Sequence, residues 1–468
     1  MSKPLLTGLA AACLLSACAL GPDYERPSLP PATAFPEGKG GSAAIAVDWW
    51  RGLGDERLNE LVLQALKNNV DVRVAAGRVE EAAAGLADVA GAQLPAVTAG
   101  GSATRNVVST DSYTSISSFG RTRNDFTAGL STTFELDFWG KLRRASEAAR
   151  AQLLSADEAR LQVELGVLSS VVKAYALVRS ADVQQSAAQE ILTARDEELR
   201  IVGQRVKVGA AGANEVAQAE VSRSAAVSVL SDARRSRAQA EHLLGFLIGM
   251  PDLVLASAKT PPTGTPAPPA AGLPSDLLRR RPDVVAAEQA LIAANARIGY
   301  AKAAYFPTFS LTAAAGAESK EFTSVFGSGN ATSLLGLNMS VPLLDFGRTA
   351  ARVEGAIAAQ HQAAAVYEKA VLNAFREVRD ALTDVRETMS SMQAAFRREK
   401  AALEAFRVAE ARRQQGQVAP MEFLAARRLL AESQVAVARV RLDRLGAQVD
   451  LVKALGGARP DVAETPPK

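Results

Sequence analysis

The sequence predicts a mainly α-helical chain that also carries four membrane β-strands, written as two tandem repeats and unable to close as a pore until several copies assemble. The first observation is repetition. Gln93-Leu94-Pro95-Ala96-Val97 returns as Tyr305-Phe306-Pro307-Thr308-Phe309, and Leu136-Asp137-Phe138-Trp139-Gly140-Lys141 returns as Leu344-Asp345-Phe346-Gly347-Arg348. Arg205-Val206-Lys207-Val208-Gly209, followed by Glu215, returns as Arg412-Arg413-Gln414-Gln415-Gly416, followed by Glu422. The offsets run from 207 to 212 residues, the mark of a duplicated unit. The second observation is length: Lys141 to Val208 and Arg348 to Gln415 contain no proline and few glycines, so each reads as one helix on the order of 100 Å long. The third is four segments of alternating polarity, too few to close a barrel within one chain.

The elements follow in order. Lys3 and the apolar run Leu5 to Leu15 read as an export signal over residues 1–17, because the run is too short to span a bilayer. Leu15-Ser16-Ala17-Cys18 resembles a lipobox, whose Cys is acylated and becomes the first mature residue. Cys13 is then discarded, Cys18 is the lipidation site, and the mature chain holds no disulfide. Ala19 follows where Asp would favour inner-membrane retention, which points to the outer membrane. Residues 18–56 are an N-terminal segment. Helix is expected over 57–92, strand over 94–107 and 125–139, and helix over 141–208 and 214–248, which makes residues 57–250 the first repeat. The Pro, Ala and Gly-rich stretch Thr260 to Pro274 cannot continue a helix and marks a linker over 251–274. The second repeat, 275–457, repeats the order: helix 275–304, strands 307–318 and 332–344, helices 348–415 and 421–455. Residues 458–468 form a tail.

In the second long helix, Val371, Phe375, Val378, Leu382, Val385, Met389, Met392 and Phe396 recur at alternating steps of four and three, the seven-residue spacing of supercoiled helices. A secreted coiled-coil scaffold without a pore accounts for that spacing and stands as the alternative reading. The strands argue for a pore. Phe126 to Phe138 places apolar side chains mostly at even positions, Phe309 to Ala317 and Leu335 to Leu343 place them at odd ones, and Val97 to Val107 is a weaker case. Segments of about 10 residues with one apolar and one small or polar face suit lipid outside and water inside. The Ser, Thr, Gly and Asn-rich stretches Ser109 to Asn124 and Ser319 to Thr332 suit exposed loops. An open edge in hydrocarbon leaves backbone groups unsatisfied at several kcal/mol each, so the chain must oligomerise if it inserts. Two copies give about 8 strands and a filled interior, three give about 12 and a lumen, and the strands alone leave the number open.

Composition removes other classes. The chain has 468 residues, 53 Lys and Arg against 50 Asp and Glu, and a net charge of +3, which provides no field for nucleic acid. Two His and two Cys cannot supply repeated metal-ligand spacings, and no phosphate-binding loop, HExxH or GxSxG is present. No cofactor and no catalytic residue is expected. Beyond the first 20 residues no uncharged apolar run approaches the roughly 20 residues of a membrane helix, which excludes a helical membrane protein.

A longer set of motifs is similar to a known family. Cys18-Ala19-Leu20-Gly21-Pro22-Asp23-Tyr24-Glu25-Arg26-Pro27, Trp49-Trp50-Arg51 with Asp55 and Leu58, Asn68-Asn69-Val70-Asp71, Leu273 to Asp283, and Ile298 to Pro307 resemble the NodT-type lipoprotein branch of the outer-membrane efflux proteins, the TolC-like channels of tripartite pumps. The resemblance implies a homotrimer with a 12-stranded β-barrel in outer-membrane lipid, a long periplasmic α-helical barrel, and an equatorial belt. It also implies a periplasmic adaptor and an inner-membrane transporter, commonly of the resistance-nodulation-division (RND) type, as partners, with no catalysis. The adaptor-docking tips map to Gly209, Gly212, Asn214 and Glu215 and to Gly416 and Pro420, with Glu422 at the periplasmic gate. Many members carry Ser three and Asp six residues after the turn glycine, where this chain has Gly212 with Glu215 and Ala419 with Glu422. Helix-start chemistry also accounts for both glutamates, since carboxylates are favoured at the positive helix end. His242 and His361 read as interhelical or surface residues, Arg279 to Arg281 as solvated or inter-protomer ion pairs, Trp49 and Trp50 as belt residues, and Trp139 as a lipid-interface anchor.

Overall fold

A computed structural model of the chain describes residues 19–28, 45–109, 121–258 and 278–457. The export signal, Cys18, most of the expected linker and the tail lie outside the described residues. A short 3-10 helix, Trp49–Leu53, precedes helices α1 (Glu56–Asn68) and α2 (Val70–Gly91). Strands β1 (Ala96–Val107) and β2 (Thr122–Leu136) lead into helices α3 (Lys141–Lys207) and α4 (Ala213–Leu247). The second half repeats the order as α5 (Pro282–Ala303), β3 (Thr308–Ser319), β4 (Ala331–Ser340), α6 (Arg348–Gln414) and α7 (Pro420–Ala454). The long helices have 67 residues each and the returning helices 35 each, so the duplication is kept to the residue.

The chain divides into two compact units. One comprises the described parts of Met1–Ser28, Arg78–Ala156 and Ala287–Tyr367, and contains the sheet. Its strands lie in the order β1-β2-β3-β4, every neighbour antiparallel, so β2 and β3 join the two repeats through pairs from Phe126↔Ser319 to Leu136↔Phe309. Below the sheet, Ala148 and Ala151 of α3 meet Ala293 and Ala296 of α5, where small side chains let two helices approach closely. The other unit is helical. Its main core gathers Leu58, Leu61 and Val62 of α1, Val171, Tyr175 and Val178 of α3, and Leu244 of α4, all under 2% exposed. Full burial of each large aliphatic side chain is worth about 1.5–3 kcal/mol. A second cluster sets Val378 and Ala381 of α6, with Phe375, Leu382 and Val385, against Leu451, Ala454 and Leu455 of α7. The partner of that seven-residue spacing is therefore a helix of the same chain.

Four expectations are corrected. The single helix expected over 57–92 is two, because Asn69 breaks it: Oδ1 of Asn69 accepts from the backbone N–H of Asp71 (2.9 Å) and Val72 (3.1 Å), and Nδ2 donates to the Leu247 carbonyl (2.9 Å). Apolar periodicity runs through the break and conceals it. The helix expected from 275 starts its main body at Pro282, since a residue before proline is pushed away from helical ψ. Strands expected to reach 139 and 344 end at Leu136 and Ser340. Past them Asp137 accepts the Arg143 N–H at 3.0 Å, and Asp345 accepts those of Gly347 and Thr349, so both carboxylates start helices. Arg281 is not solvated: it is 5% exposed and donates to Asp283, Glu377 and the Ala454 carbonyl, each at 2.7 Å. Burial works against its charge, and the bonds to Asp283 and Glu377 outweigh it and hold its pKa above the ordinary value. Trp50 is buried in the helical core, and His242 and His361 are exposed on α4 and α6.

One stretch of α3 bears on the membrane. An 18-residue window of it has mean hydropathy 1.4, enough by length and composition to cross a bilayer, contrary to the expectation from uncharged runs alone. Half of the window is buried inside the fold, and α3 gives Val167, Leu168, Val171, Val172, Tyr175 and Val178 to the core.

Candidate functional site: a two-faced sheet and two hairpin turns

The ladder registers sort the sheet into two faces. Val97, Leu130, Phe134, Leu311, Leu337 and Met339 fall on one, and Thr98, Ser102, Thr127, Ser131, Thr312 and Asn338 on the other. Arg105 and Leu334 are exceptions, both on edge strands. Hydroxyls bridge the polar face: Thr98 to Ser131 and Ser102 to Thr127, each at 2.8 Å. On the apolar face Leu335, Leu337, Met339 and Val97 are 63–77% exposed, a surface that water penalises and hydrocarbon does not. Among the described residues, the outer strands β1 and β4 each have one edge without a strand partner.

At the other functional region, α3 and α6 end in the same backbone motif. Gly209 (φ +71°) and Gly416 (φ +69°) occupy the left-handed region, where a side chain is disfavoured. The next amide in each case reaches back to the first carbonyl of the turn, Ala210 to Arg205 at 2.7 Å and Gln417 to Arg412 at 2.8 Å, and so caps the helix. Gly212 is the N-cap of α4, Asn214 lies in its first turn, and Pro420 opens α7 where a missing N–H costs nothing. Glu215 accepts from the Gly212 N–H (3.3 Å) and pairs with Arg205 (3.4 Å), while Glu422 pairs with Arg412 (3.6 Å). Each glutamate thus starts a helix and faces an arginine across its own turn. Sequence reading singled out the glutamates and missed the arginines, although both stand ten residues upstream. The turns differ in packing: Phe423, next to Glu422, sits under the Arg413 guanidinium at 4.3 Å and against Phe406 and Leu424, whereas Val208 is 79% exposed.

A third feature lies beside the expected lipid anchor. Cys18 is outside the described residues, but the segment after it is strapped down within the sheet-bearing unit. The Leu20 N–H donates to the Trp139 carbonyl (3.1 Å), Arg144 donates to the Leu20 carbonyl and to Asp23, and Asn295 donates to the Pro22 carbonyl. Arg26 grips Glu288 with two bonds of 2.6 and 2.7 Å, and Tyr24 donates to the same carboxylate. Burial and the Glu288 charge push the Tyr24 hydroxyl far above its usual range. Trp139, expected as a lipid-interface anchor, donates through Nε1 to the Pro307 carbonyl at 2.7 Å and lies on Phe306, so it pins the end of β2 to the start of β3. Among the described residues no cluster of three or more His, Cys, Asp and Glu is placed to hold a metal.

This arrangement can divide lipid from water and turn helices tightly. The toluene efflux pump outer membrane protein TtgC of Pseudomonas putida is 33% identical over 478 residues, covering 98% of this chain and 96% of that protein. The cation efflux system protein CusC of Escherichia coli is 30% identical over 473 residues, covering 98% and 99%. The crystal structure of the Campylobacter jejuni CmeC outer membrane channel superposes with a TM-score of 0.87 at 26% identity, over 96% of this chain and 97% of that one. These relatives are outer-membrane channel proteins rather than enzymes, and the scaffold alternative finds no support among them. The family described as outer membrane efflux protein matches residues 61–250 and 273–457, both repeats in turn, and the chain belongs to that family of outer-membrane efflux channels reaching into the periplasm.

Proposed function

We propose that this chain is the outer-membrane component of a tripartite efflux pump, a passive homotrimeric exit duct whose solutes are driven by an inner-membrane transporter of the RND type through a periplasmic adaptor. The observation that carries it is the two-faced, four-stranded sheet with two open edges, which is complete only as part of a ring. Relatives of similar identity are named for toluene and for cations, which fits a duct that accepts what its pump delivers. In this reading Cys18 is acylated and the strap from Leu20 to Arg26 fixes the anchor, while the turns at Gly209 to Glu215 and Gly416 to Pro420 meet the adaptor. Restoring the gene to a deletion strain should restore efflux only when transporter and adaptor are present. Native mass spectrometry of the detergent-extracted protein should give three copies, and a single copy would reject the duct.

The turns carry a sharper expectation. Glu422 occurs three times around the axis of a homotrimer and balances Arg412 in each copy. Glu422→Gln leaves Arg412 unopposed, so the pore should lose preference for cations, while Glu215→Gln, at the adaptor-docking turn, should change selectivity less. Reversal potentials in asymmetric KCl measure both. Equal values for wild type and Glu422→Gln would make the carboxylate a helix-start residue alone.

A further inference from the structure

The seam between α6 and α7 changes its chemistry partway along. On α6 the seven-residue spacing stays apolar, from Val378 and Val385 on to Met389, Met392 and Phe396. On α7 the facing residues do not, for Leu451 and Leu455 give way to Arg444 and Arg441. Nη1 of Arg444 donates to Sδ of Met389 at 2.8 Å and to Sδ of Met392 at 3.7 Å, and the Arg441 guanidinium lies 5.2 Å from the centre of the Phe396 ring. Arg444 is 9% exposed, and among the described residues its guanidinium meets these two thioethers and no carboxylate or carbonyl.

A thioether is a weak acceptor, and a buried guanidinium without a strong one costs stability. Among the described residues the other two buried arginines are better served: Arg144 holds Asp23 and Glu147, and Arg281 holds Asp283 and Glu377. We propose that Met389 is an oxidation site whose product the fold accepts: a hypohalous acid converts the thioether to the sulfoxide, and the new oxygen takes the hydrogen bond of Arg444. In the net step the sulfur gains the oxygen of hypochlorous acid and gives up two electrons, the chlorine leaves as chloride, and the hydroxyl proton passes to water. Methionine sulfoxide reductases reverse the change.

In most cores a sulfoxide is a lesion, because its polar oxygen is buried without a donor. Here the donor is already in place and is charged, so a weak hydrogen bond becomes a charge-assisted one. Met389 fits this role better than Met392. It is 39% exposed, within reach of an oxidant, while Met392 is half-buried and farther from Nη1. Three rotatable bonds let its side chain draw back to admit the oxygen. Oxidation therefore tightens α6 on α7 rather than parting them. A channel of the outer membrane meets external oxidants before the cytoplasm does, and this seam withstands them. Every group involved belongs to the helical unit of one chain, so the inference is separate from the copy number and from the efflux reading.

Hydrogen exchange read by mass spectrometry tests this, since a peptide carrying the sulfoxide is heavier by one oxygen and is told from its thioether form in the same sample. In the full-length, detergent-extracted chain, Met392→Leu leaves Met389 the only sulfur between Val385 and Phe396. Limiting hypochlorous acid, quenched with free methionine, should oxidise Met389 to about the same extent as Met250, which is 43% exposed. Amides from Val385 to Phe396 should then exchange about fivefold more slowly in the sulfoxide form than in the thioether form, because opening the seam breaks a stronger bond. Adding Arg444→Leu should reverse the order, with the sulfoxide form exchanging at least about fivefold faster. Arg444→Lys keeps a cationic donor and should keep the sulfoxide form the slower one, which separates loss of the donor from loss of the fold. Equal or faster exchange of the sulfoxide form with Arg444 in place would make Met389 a site of damage and overturn the proposal. So would the same slowing with Arg444→Leu, or a Met389 thioether left intact while Met250 is converted.

Discussion

Asp182→Ala is expected to lower the thermal unfolding temperature of the detergent-extracted protein by about 3–5 °C, a loss of about 3–5 kcal/mol for breaking a buried ionic network. The Asp182 carboxylate is fully buried. It accepts from Arg179 (3.3 Å), Arg237 (2.7 Å), the Ser257 hydroxyl (3.1 Å) and the Ala258 N–H (3.1 Å). Arg237 also pairs with Glu241 and donates to the Leu255 carbonyl, and Arg179 donates to the Ala256 carbonyl. One carboxylate therefore ties α3 and α4 to the segment that leaves the first repeat. Alanine removes the carboxylate that both guanidiniums share and leaves Arg237 with Glu241 and the Leu255 carbonyl and Arg179 with Tyr175 and the Ala256 carbonyl, whereas Asp182→Asn keeps an acceptor in place and should lose about half as much. Circular dichroism melts in one detergent compare the three proteins. A melting temperature for Asp182→Ala within about one degree of wild type would mean that water reaches these arginines and the network is dispensable.

The second large effect lies in the sheet. Gly129 and Gly316 stand opposite each other, and a Cβ on Gly129 would lie 2.8 Å from the Ala315 carbonyl oxygen, one on Gly316 2.5 Å from that of Ala128. Neither obstacle is a side-chain end that can swing away, so even Gly316→Ala forces β2 and β3 apart where the repeats join. Ladder bonds lost in hydrocarbon cost several kcal/mol each, so assembled channel should fall below about a tenth of wild type for Gly316→Val. Gly336→Ala, on the same polar face but with open space around the added carbon, should assemble normally. Heat-modifiable oligomer on semi-native gels reports both, with drug accumulation in cells as a second readout. Wild-type oligomer yield from Gly316→Val would show that the strands relax around the side chain.

Much of this architecture is legible along the chain because it rests on local rules. Alternation in Phe126 to Phe138, the proline-free runs of α3 and α6, and a glycine at each helix reversal each report their own surroundings. What escapes is set by partners distant in sequence. Asn69 ends one helix and starts the next because the Leu247 carbonyl, 178 positions away, takes its amide. Arg281 sits in a run of three arginines that reads as surface, and becomes buried because Glu377 and the end of α7 meet it. Trp139 has the amphipathic character of an interface residue, and only the arrival of Pro307 across the sheet shows where its N–H goes. The arginines opposite Glu215 and Glu422 are intermediate: visible once the turn geometry is known, and otherwise two among many.

The two unpaired edges also have a genetic consequence. In a ring, every subunit contributes to two junctions, and one faulty edge leaves a gap that the others cannot close. A cell making equal amounts of normal and edge-defective chains of a threefold ring would build wholly normal rings about one time in eight. Damage to β1 or β4 is therefore dominant over a good copy of the gene, whereas damage that unfolds the chain before it meets its neighbours is recessive. The same sheet that needs company to enter the membrane makes each subunit answerable for the other two.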